Sequence, residues 1–414
     1  MEIFKRLNIT KEKKQVVILY ASTVLGVLIG IVNSIINTRF LEPADYGDVR
    51  YVQNIINFVA SLLLFGYFWS GSRLLALSKS EEYSRRVRGI LVVILGIATL
   101  VLTISTAVCI FFHNGQTQVP YLFLVSLPVC ASPLLTNYIN NTAQGDNHIG
   151  RLAIMRLFPP AIYAVAAYYI YTNYGATPTK MILLQWGLSV VVCVAIIISE
   201  KPSFKDLKPI FIELNKENRA YGFQLYLGSI VMVTTSYIAG MTLSFFNEDN
   251  TQVGYYTLAT TVTLPLTMLP AIIGTTYFKK FAVLPKIPDK LMKYTILLTV
   301  LSCVFFVLVI QKLIVLLYTE KYAPVGAYAV WLSVGCCVHG LGDMINRYMG
   351  SHGQGKAIRN SSIYNGIFKV LGYSLLVYLW NVNGALITTL MCDIIYAGCM
   401  VYYYKKFIKS NVQA

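Results

Sequence analysis

Long apolar runs separated by short polar segments dominate the chain. Runs of about 20 residues, enough for a helix to cross the hydrocarbon of a bilayer, recur twelve times. Charged or turn-forming residues separate each run from the next. The pattern predicts an all-α integral membrane protein with twelve transmembrane helices. The predicted spans are approximately 16–38, 49–71, 89–112, 120–143, 152–172, 180–199, 220–246, 253–277, 294–318, 325–349, 361–380 and 384–404.

Composition agrees with a membrane protein. Of the 414 residues, 56% are hydrophobic and 13% are charged, and the mean hydropathy is +0.60. A soluble globular chain has about a quarter charged residues. The net charge of +16 would indicate nucleic acid binding in a soluble protein, but here the placement of the charges decides its meaning. Membrane lipids, and not nucleic acid, are the expected surroundings.

Lysine and arginine are concentrated in alternate connections. With the N-terminus inside, 28 of the 34 fall in the two tails and in the loops predicted at the cytoplasmic face. Cytoplasmic loops are enriched in these residues, so both termini are predicted to be cytoplasmic. The first run, 16–37, lacks an A-x-A cleavage site and is predicted to be an uncleaved span.

Motifs for cofactors and metals are not found. The eight cysteines lie in apolar runs without CxxC spacing or paired histidines, so disulfides and zinc are not expected. Residues 350–356 match GxxxxGK, but Ala357 replaces the Ser or Thr that would hold magnesium, and a membrane helix precedes the motif instead of a strand. A basic turn is predicted there, and no cofactor is expected.

The two halves of the chain resemble each other at an offset near 206 residues. Tyr46-Gly47 before the second span, for example, corresponds to Val253-Gly254 before the eighth. Six spans per half make the repeats parallel, related by an axis along the membrane normal, with a cavity between them. The predicted domains are an N-terminal six-helix lobe at 1–199, a cytoplasmic linker at 200–219 and a pseudo-symmetric C-terminal six-helix lobe at 220–414.

Polar side chains recur at helical spacing inside several apolar runs. Each would be costly if left unpaired in hydrocarbon. The ordinary interpretation of any single one is hydrogen bonding between helices. Their number and the cations among them favour a substrate pathway instead. The candidate substrate-binding residues are Asn33, Asn37, Arg39, Arg50, Asn54, Asn57, Asn141, Arg347 and Lys369.

The cations among these candidates form the chemical argument. Lys369 has no acid three or four residues away, and intramembrane charges are usually functional. Arg39 and Arg50 flank a turn with Glu42 and Asp45, so a surface ion-pair cluster is the alternative there. With Arg347, these cations would make a positive path for an anionic head group such as a pyrophosphate.

Two carboxylates also lie inside predicted spans. Asp343 stands four residues before Arg347, and an ion pair between the two is as good an explanation as ion or substrate binding. Asp393 in the last span is a second candidate to relay a coupling cation. We therefore take Asp343 and Asp393 as the candidates for ion coupling.

Short motifs carry a family resemblance. The first two spans, with Arg39-Phe40-Leu41, Tyr46-Gly47 and Ser70-Gly71-Ser72-Arg73, resemble the start of bacterial polysaccharide biosynthesis flippases. Val253-Gly254-Tyr255-Tyr256 and the turn at Gly355-Lys356 are similar to the second half of the same proteins. These are the Wzx-type translocases of O-antigen and capsule units in the multidrug/oligosaccharidyl-lipid/polysaccharide exporter (MOP) superfamily.

The resemblance implies two lobes around a V-shaped cavity. A flippase of this type moves undecaprenyl-diphosphate-linked oligosaccharide from the cytoplasmic to the periplasmic leaflet of the bacterial inner membrane by alternating access. Arg39 and Arg50 would occupy positions where the family places cavity cations. A polysaccharide polymerase and a chain-length regulator are candidate partners.

Three other functions compete. A cation-coupled drug or metabolite antiporter of the same superfamily would use Asp343 or Asp393. A membrane enzyme, such as a polysaccharide polymerase or a lipid-using glycosyltransferase, would need a large external loop, and no predicted external loop exceeds roughly a dozen residues. A scaffold without transport would not need the aligned polar positions. A transporter is therefore predicted, and not an enzyme.

Overall fold

The computed structural model describes residues 11–78, 80–112, 118–146 and 148–412. Within these ranges nearly every residue is helical and no strand forms. A segment in hydrocarbon must satisfy its own backbone hydrogen bonds, and an α-helix does so within one segment. The all-α class predicted from the sequence is confirmed. Residues 1–10 of the predicted N-terminal cytoplasmic tail lie outside the described residues.

The described residues contain eight or nine segments that could span a membrane. Eight described helices are long and apolar enough to cross a bilayer, and one bent pair raises the count to nine. The last of the eight is a helical segment of 58 residues that is broken at Asn381, where φ is 52°. It therefore contains both of the last two predicted spans. Twelve spans with cytoplasmic termini stay a prediction.

The chain forms two compact units by its internal contacts. The first comprises Met1–Leu41 and Ile55–Ile230, and the second comprises Glu42–Asn54 and Val231–Ala414. The helix that begins at Pro43 is thus divided between the two units. Sequence repeats and units defined by contact are different properties, so the predicted lobes and linker stay a prediction.

The helices of each unit have the following main contacts and bounds. In the first unit α7 packs mainly on α1 and α8, and in the second α13 packs mainly on α11 and α14. The first unit contains α1 (Lys11–Phe40), α3 (Tyr67–Leu77), α4 (Glu81–Phe112), α5 (Val119–Ser126), α6 (Ser132–Gly145), α7 (Ile149–Tyr174), α8 (Pro178–Ser199) and α9 (Leu207–Glu217). The second contains α11 (Thr251–Phe281), α12 (Asp289–Tyr318), α13 (Pro324–Ser351) and α14 (Gly355–Val412), while α2 (Pro43–Leu62) and α10 (Phe223–Phe245) are shared.

The second predicted span is not one straight helix. Helices α2 and α3 meet at 60°, because Phe65 and Gly66 both adopt positive φ. The amide of Asn218 stabilises the bend by donating to the carbonyl of Phe65 at 3.0 Å and accepting from the Ser70 hydroxyl at 3.0 Å. Glycine is needed at residue 66, since a side chain there would overlap the backbone of Gly222.

A buried ionic network ties together the ends of four helices in the first unit. Arg88 donates to Asp146 at 2.7 and 2.9 Å and to Glu81 at 3.0 Å, while Arg151 donates to Glu200 at 3.2 Å. The side chains of Arg88, Asp146 and Glu200 are at most 5% exposed. Burial raises the pKa of Glu200, while the two arginines act in the opposite direction. The network joins Glu200, the first residue of the predicted linker, to Arg151 of α7.

Two glycines pack against each other's helix within the second unit. A methyl group at Gly47 would overlap the carbonyl of Asn250, four residues before Gly254, and one at Gly254 would lie 2.8 Å from the carbonyl of Pro43, four residues before Gly47. The contact is reciprocal. It joins the two positions that the sequence paired as repeat equivalents.

Candidate functional site

A polar cavity lies inside the first unit. Its volume is about 330 Å³. It lies among α1, α6, α7 and α8, and Asn33, Arg156 and Trp186 are among its lining residues. Amide, hydroxyl and aromatic groups share the surface, and no acidic residue is among those lining it in the described chain. The full lining is Asn33, Ser132, Thr136, Asn140, Met155, Arg156, Pro159, Pro160, Tyr163, Gln185, Trp186 and Ser189.

Arg156 is the charged residue of this cavity. Its Nη1 donates to the Thr23 hydroxyl at 2.8 Å and its Nη2 to Asn140 Oδ1 at 3.3 Å. The charge count from the sequence included Arg156 among the cytoplasmic loop residues, although the predicted span 152–172 also contains it. In the structure Arg156 lies within α7 and lines the cavity, as does Asn33 of α1. Within the described residues it makes no ion pair. A charge at the centre of a bilayer costs about 2.5–3.5 kcal/mol on the insertion scale.

Two consecutive prolines interrupt the backbone hydrogen bonding of α7 beside the cavity. Pro159 and Pro160 lie inside the helix and have no N–H to donate, so carbonyls one turn earlier lose their intrahelical partners. The neighbouring helix contributes a bond to a different carbonyl, since Asn33 Nδ2 donates to that of Pro160 at 3.0 Å. Its Oδ1 is buried without a hydrogen-bond partner. The cavity thus contains an acceptor that the described protein leaves unsatisfied.

Asn37 lies one turn further along α1 and is fully buried. Its Oδ1 accepts from the hydroxyl of Tyr163 and, at 3.4 Å, from that of Tyr171, and the two tyrosine oxygens are 3.0 Å apart. This arrangement is the hydrogen bonding between helices that the sequence offered as the alternative to substrate contact. Asn37 fixes α1 on α7 in the structure.

The second unit brings the two predicted ion-coupling acids to one histidine. His339 Nδ1 lies 2.9 Å from Asp393 Oδ1, and its Nε2 lies 3.9 Å from Asp343 Oδ1. Asp343 also accepts from the Tyr396 hydroxyl at 2.9 Å, and that ring stacks on the imidazole at 4.5 Å. The ion pair of Asp343 with Arg347, one of the two sequence interpretations, does not form among the described residues. A histidine between two carboxylates can hold and release a proton or a cation.

Three hydroxyls continue this polar cluster. Thr389, one turn before Asp393, lies 2.8 Å from the Tyr256 hydroxyl and 3.0 Å from that of Tyr373, and the two tyrosines are 3.2 Å apart. Both tyrosines interact electrostatically with Asp393. Hydroxyls at these distances both donate and accept, so the three form one hydrogen-bonded group.

Arg50 contacts an aromatic ring and an amide instead of forming the ion pair that was the alternative interpretation of the sequence. Its guanidinium carbon lies 4.8 Å from the centroid of the Tyr46 ring, and its Nη1 donates to Gln53 at 2.9 Å. Glu42, which the sequence offered as an acidic neighbour, pairs instead with Lys321. The guanidinium of Arg50 therefore contacts an aromatic ring and an amide, and it forms no salt bridge with an acidic residue in the described chain.

The other predicted site residues differ in burial and in contacts. Lys369 is half-buried and lies within electrostatic range of His339 and Cys392. The Asn54 amide lies against Gly240 of α10. The rest are Arg39 and Arg347, which are exposed, Asn57, which is half-buried, and Asn141, which donates to the carbonyl four residues earlier at 2.8 Å. A single path formed by Arg39, Arg50, Arg347 and Lys369 stays a prediction.

Sequence reasoning gave no role to Arg156, His339 or Trp186. Pro159-Pro160 inside an apolar run was a usable signal for the cavity, because two missing N–H groups leave carbonyls to be satisfied elsewhere. For the polar cluster around His339, the usable signal was the four-residue spacing of Thr389 and Asp393. Trp186 has no local signal, since only the packing of α8 on α6 and α7 brings it to the cavity.

Solved structures share the fold of this chain. The chain is 15% identical to lipid II flippase MurJ in an inward closed conformation, with a TM-score of 0.77, covering 94% of this chain and 87% of that one. A MATE family multidrug resistance transporter of the MOP superfamily, in an inward-facing conformation, matches with a TM-score of 0.68 at 15% identity, over 94% and 96%. A MOP superfamily transporter from Pyrococcus furiosus, described by the reverse polarity of its binding pocket, matches with 0.59 at 13%, over 95% and 94%. The fold is that of a MOP superfamily membrane transporter.

The family follows from a sequence model. A model described as polysaccharide biosynthesis protein matches residues 13–278, more than half of the chain. The chain belongs to this family of multi-pass membrane proteins, and the resemblance noted from short motifs is confirmed. No curated protein matches the sequence.

Proposed function

We propose that the protein is a flippase for undecaprenyl-diphosphate-linked oligosaccharide, an O-antigen or capsule repeat unit, in the bacterial inner membrane. Membership of the polysaccharide biosynthesis family supports a role in making such polymers. The likeness to the fold of a lipid II flippase supports a lipid-linked substrate. A bulky charged substrate of this kind cannot cross hydrocarbon unaided, so a lined pathway is needed.

The observation behind the proposal is the state of the intramembrane cations. Arg50, Arg156 and Lys369 lie in apolar helices, and none of them forms a salt bridge with a described carboxylate. Cations without a carboxylate partner are costly in a bilayer and mark substrate pathways. A diphosphate with attached sugars supplies the missing negative charge and hydrogen-bond acceptors. Arginine suits this role because its fork matches phosphate geometry.

Transport would follow alternating access, with the lipid tail left in the bilayer. The sequence contains no ATPase motif, so an ion gradient or consumption of the flipped product would supply the driving force. The cluster of His339, Asp343 and Asp393 is the place where a proton or cation would couple to the cycle. A polymerase and a chain-length regulator would act on the product at the outer leaflet.

Depletion of the protein in the cells that make it tests the proposal. We expect surface polysaccharide to be lost and lipid-linked repeat units to accumulate in the cytoplasmic leaflet. Loss of a glycosyltransferase would leave no complete unit, and loss of a polymerase would leave units in the periplasmic leaflet. Normal surface polysaccharide after depletion would contradict the proposal.

A cation-coupled antiporter is the second candidate. The placement of His339 between Asp343 and Asp393 favours it, because antiporters exchange a substrate for a proton or cation bound at carboxylates. Gradient-driven efflux of a lipophilic cationic dye from proteoliposomes, without movement of lipid-linked sugar, would decide for this function.

A further inference from the structure

The cavity of the first unit is too small for the whole proposed substrate. Binding sites for drug-sized ligands occupy roughly 300–1,000 Å³, and this cavity, at about 330 Å³, is at the lower limit of that range. A lipid diphosphate with several sugars does not fit in it. One sugar unit does. The cavity is therefore a candidate subsite for a single part of a larger ligand.

Arg156 gives the cavity a positive charge that the described chain does not neutralise. The two hydrogen bonds that hold its guanidinium go to neutral oxygens, those of Thr23 and Asn140. A guanidinium has five N–H donors in a planar fork, so donors remain for a ligand. A planar carboxylate is the group that this fork binds in a bidentate manner.

Asn33 specifies a second requirement. Its Nδ2 is committed to the carbonyl of Pro160 at 3.0 Å, which a carbonyl oxygen could not do, so the orientation of the amide is fixed. Its Oδ1 is therefore the free end, in a side chain only 5% exposed, and it has no partner. A buried acceptor of this kind is normally satisfied. The ligand must bring a donor as well as a negative charge.

The remaining lining matches a sugar ring. Trp186 provides an aromatic surface, while Ser132, Thr136 and Gln185 provide hydroxyl and amide groups that both donate and accept. A sugar has apolar C–H faces and hydroxyls around its edge, so it uses both kinds of surface. An inorganic anion would use only the polar groups and would leave the aromatic surface unoccupied.

We propose that this cavity is a subsite for one acidic sugar, with its carboxylate on Arg156 and a ring hydroxyl donating to Asn33 Oδ1. The inference rests on the proposed function, because the acidic sugar would be part of the translocated repeat unit. It adds a substrate class: the repeat unit contains a uronate-type sugar. The charge of that sugar selects it over neutral units of the same size.

Binding of free monosaccharides to the purified full-length protein in nanodiscs tests the subsite. Isothermal titration calorimetry compares glucuronate with glucose, which has the same ring and no carboxylate, and with acetate and inorganic phosphate, which have charge and no ring. We expect glucuronate to bind at least tenfold more tightly than the other three. Equal binding of glucose would overturn the role of charge, and equal binding of acetate or phosphate would overturn the sugar specificity.

Three variants make the assignment specific. Arg156→Gln should weaken glucuronate binding at least tenfold. Asn33→Asp should also weaken glucuronate binding at least tenfold, because it introduces a carboxylate into the cavity that neutralises Arg156. This variant replaces Arg156→Gln if that protein does not fold. Lys312→Gln is the matched control, since it removes an exposed cation from α12 of the second unit and should leave the affinity unchanged.

The outcomes separate this inference from the proposed function. Unchanged glucuronate affinity in a folded Arg156→Gln or Asn33→Asp protein would overturn the subsite. Transbilayer movement of a lipid-linked oligosaccharide with only neutral sugars, as fast as that of one with a uronate, would also overturn it while the flippase function stands. Faster movement of the uronate-containing substrate, reduced to the neutral rate by Arg156→Gln, is the result we expect.

Discussion

Replacement of Arg88 by glutamine should destabilise the first unit more than any exposed charge change. The arginine side chain is 3% exposed and makes two hydrogen bonds to Asp146 and one to Glu81. Its removal leaves the buried Asp146 and Glu200 to share Arg151, which lies 3.9 and 3.2 Å from them. Breaking a buried pair by removing one partner costs about 3–5 kcal/mol. For a unit of this size that corresponds to a fall in apparent Tm of about 10 °C.

The pH dependence of the effect has a defined sign. In the variant only Arg151 remains to counteract the effect of burial on Glu200. The pKa of Glu200, already raised in the wild type, therefore rises further. A carboxyl with a raised folded-state pKa contributes stability below its unfolded pKa, here 4.5, and loses it as pH rises through the folded pKa. The destabilisation by Arg88→Gln should therefore be largest at neutral pH and become smaller toward pH 4.5.

Thermal unfolding of the purified protein in detergent, followed by native tryptophan fluorescence, measures both effects. Arg86→Gln is the control, because Arg86 pairs at 3.9 Å with the exposed carboxylate of Asp206, and pairs with an exposed partner contribute about 0–1 kcal/mol. The double variant Arg88→Gln with Asp146→Asn should recover part of the loss. An Arg88→Gln protein as stable as Arg86→Gln at neutral pH would show that the buried network does not stabilise the first unit.

Three other changes have expected results. Gly47→Ala should lower the amount of folded protein because a methyl group overlaps a facing carbonyl, whereas Gly30→Ala, with open space around the Cβ position, should be neutral; fluorescence size-exclusion chromatography measures both, and equal amounts would contradict the packing. Asp393→Asn should slow transport of labelled lipid-linked substrate under an imposed proton or sodium gradient, and an unchanged rate in proteoliposomes would remove it from coupling. Arg39→Ala combined with Lys369→Ala should abolish surface polysaccharide at normal protein levels, and normal polysaccharide would reject the cationic pathway.

Local sequence patterns predicted the helices but not their bends. The apolar run at 49–71 indicates a span, and it forms α2 and α3, which meet at 60°. The bend depends on Asn218, which is 153 residues away from Phe65, whose carbonyl it binds. A periodicity within 20 residues contains no information on a partner so distant in sequence. The existence of a helix is a local property, and its straightness here is not.

The candidate site shows the same limit. Spacing of four residues made Arg347 a natural partner for Asp343, but the side chain that binds Asp343 is Tyr396, 53 residues away. Counting charges placed Arg156 at the membrane surface, because a position within a few residues of a predicted boundary can belong to either side. Packing of α7 on α1 decides its role. Sequence identified the polar residue types, and tertiary contact determined which of them meet.

Transbilayer movement of a labelled undecaprenyl-diphosphate oligosaccharide in proteoliposomes measures the proposed flippase activity itself. A membrane-impermeant reagent that destroys the label in the outer leaflet distinguishes flipped from unflipped substrate. We expect nearly all of the label to become accessible in vesicles that contain the protein, at a rate that rises with the amount of protein. Accessibility of only the outer half of the label, equal to that in protein-free vesicles, would contradict it.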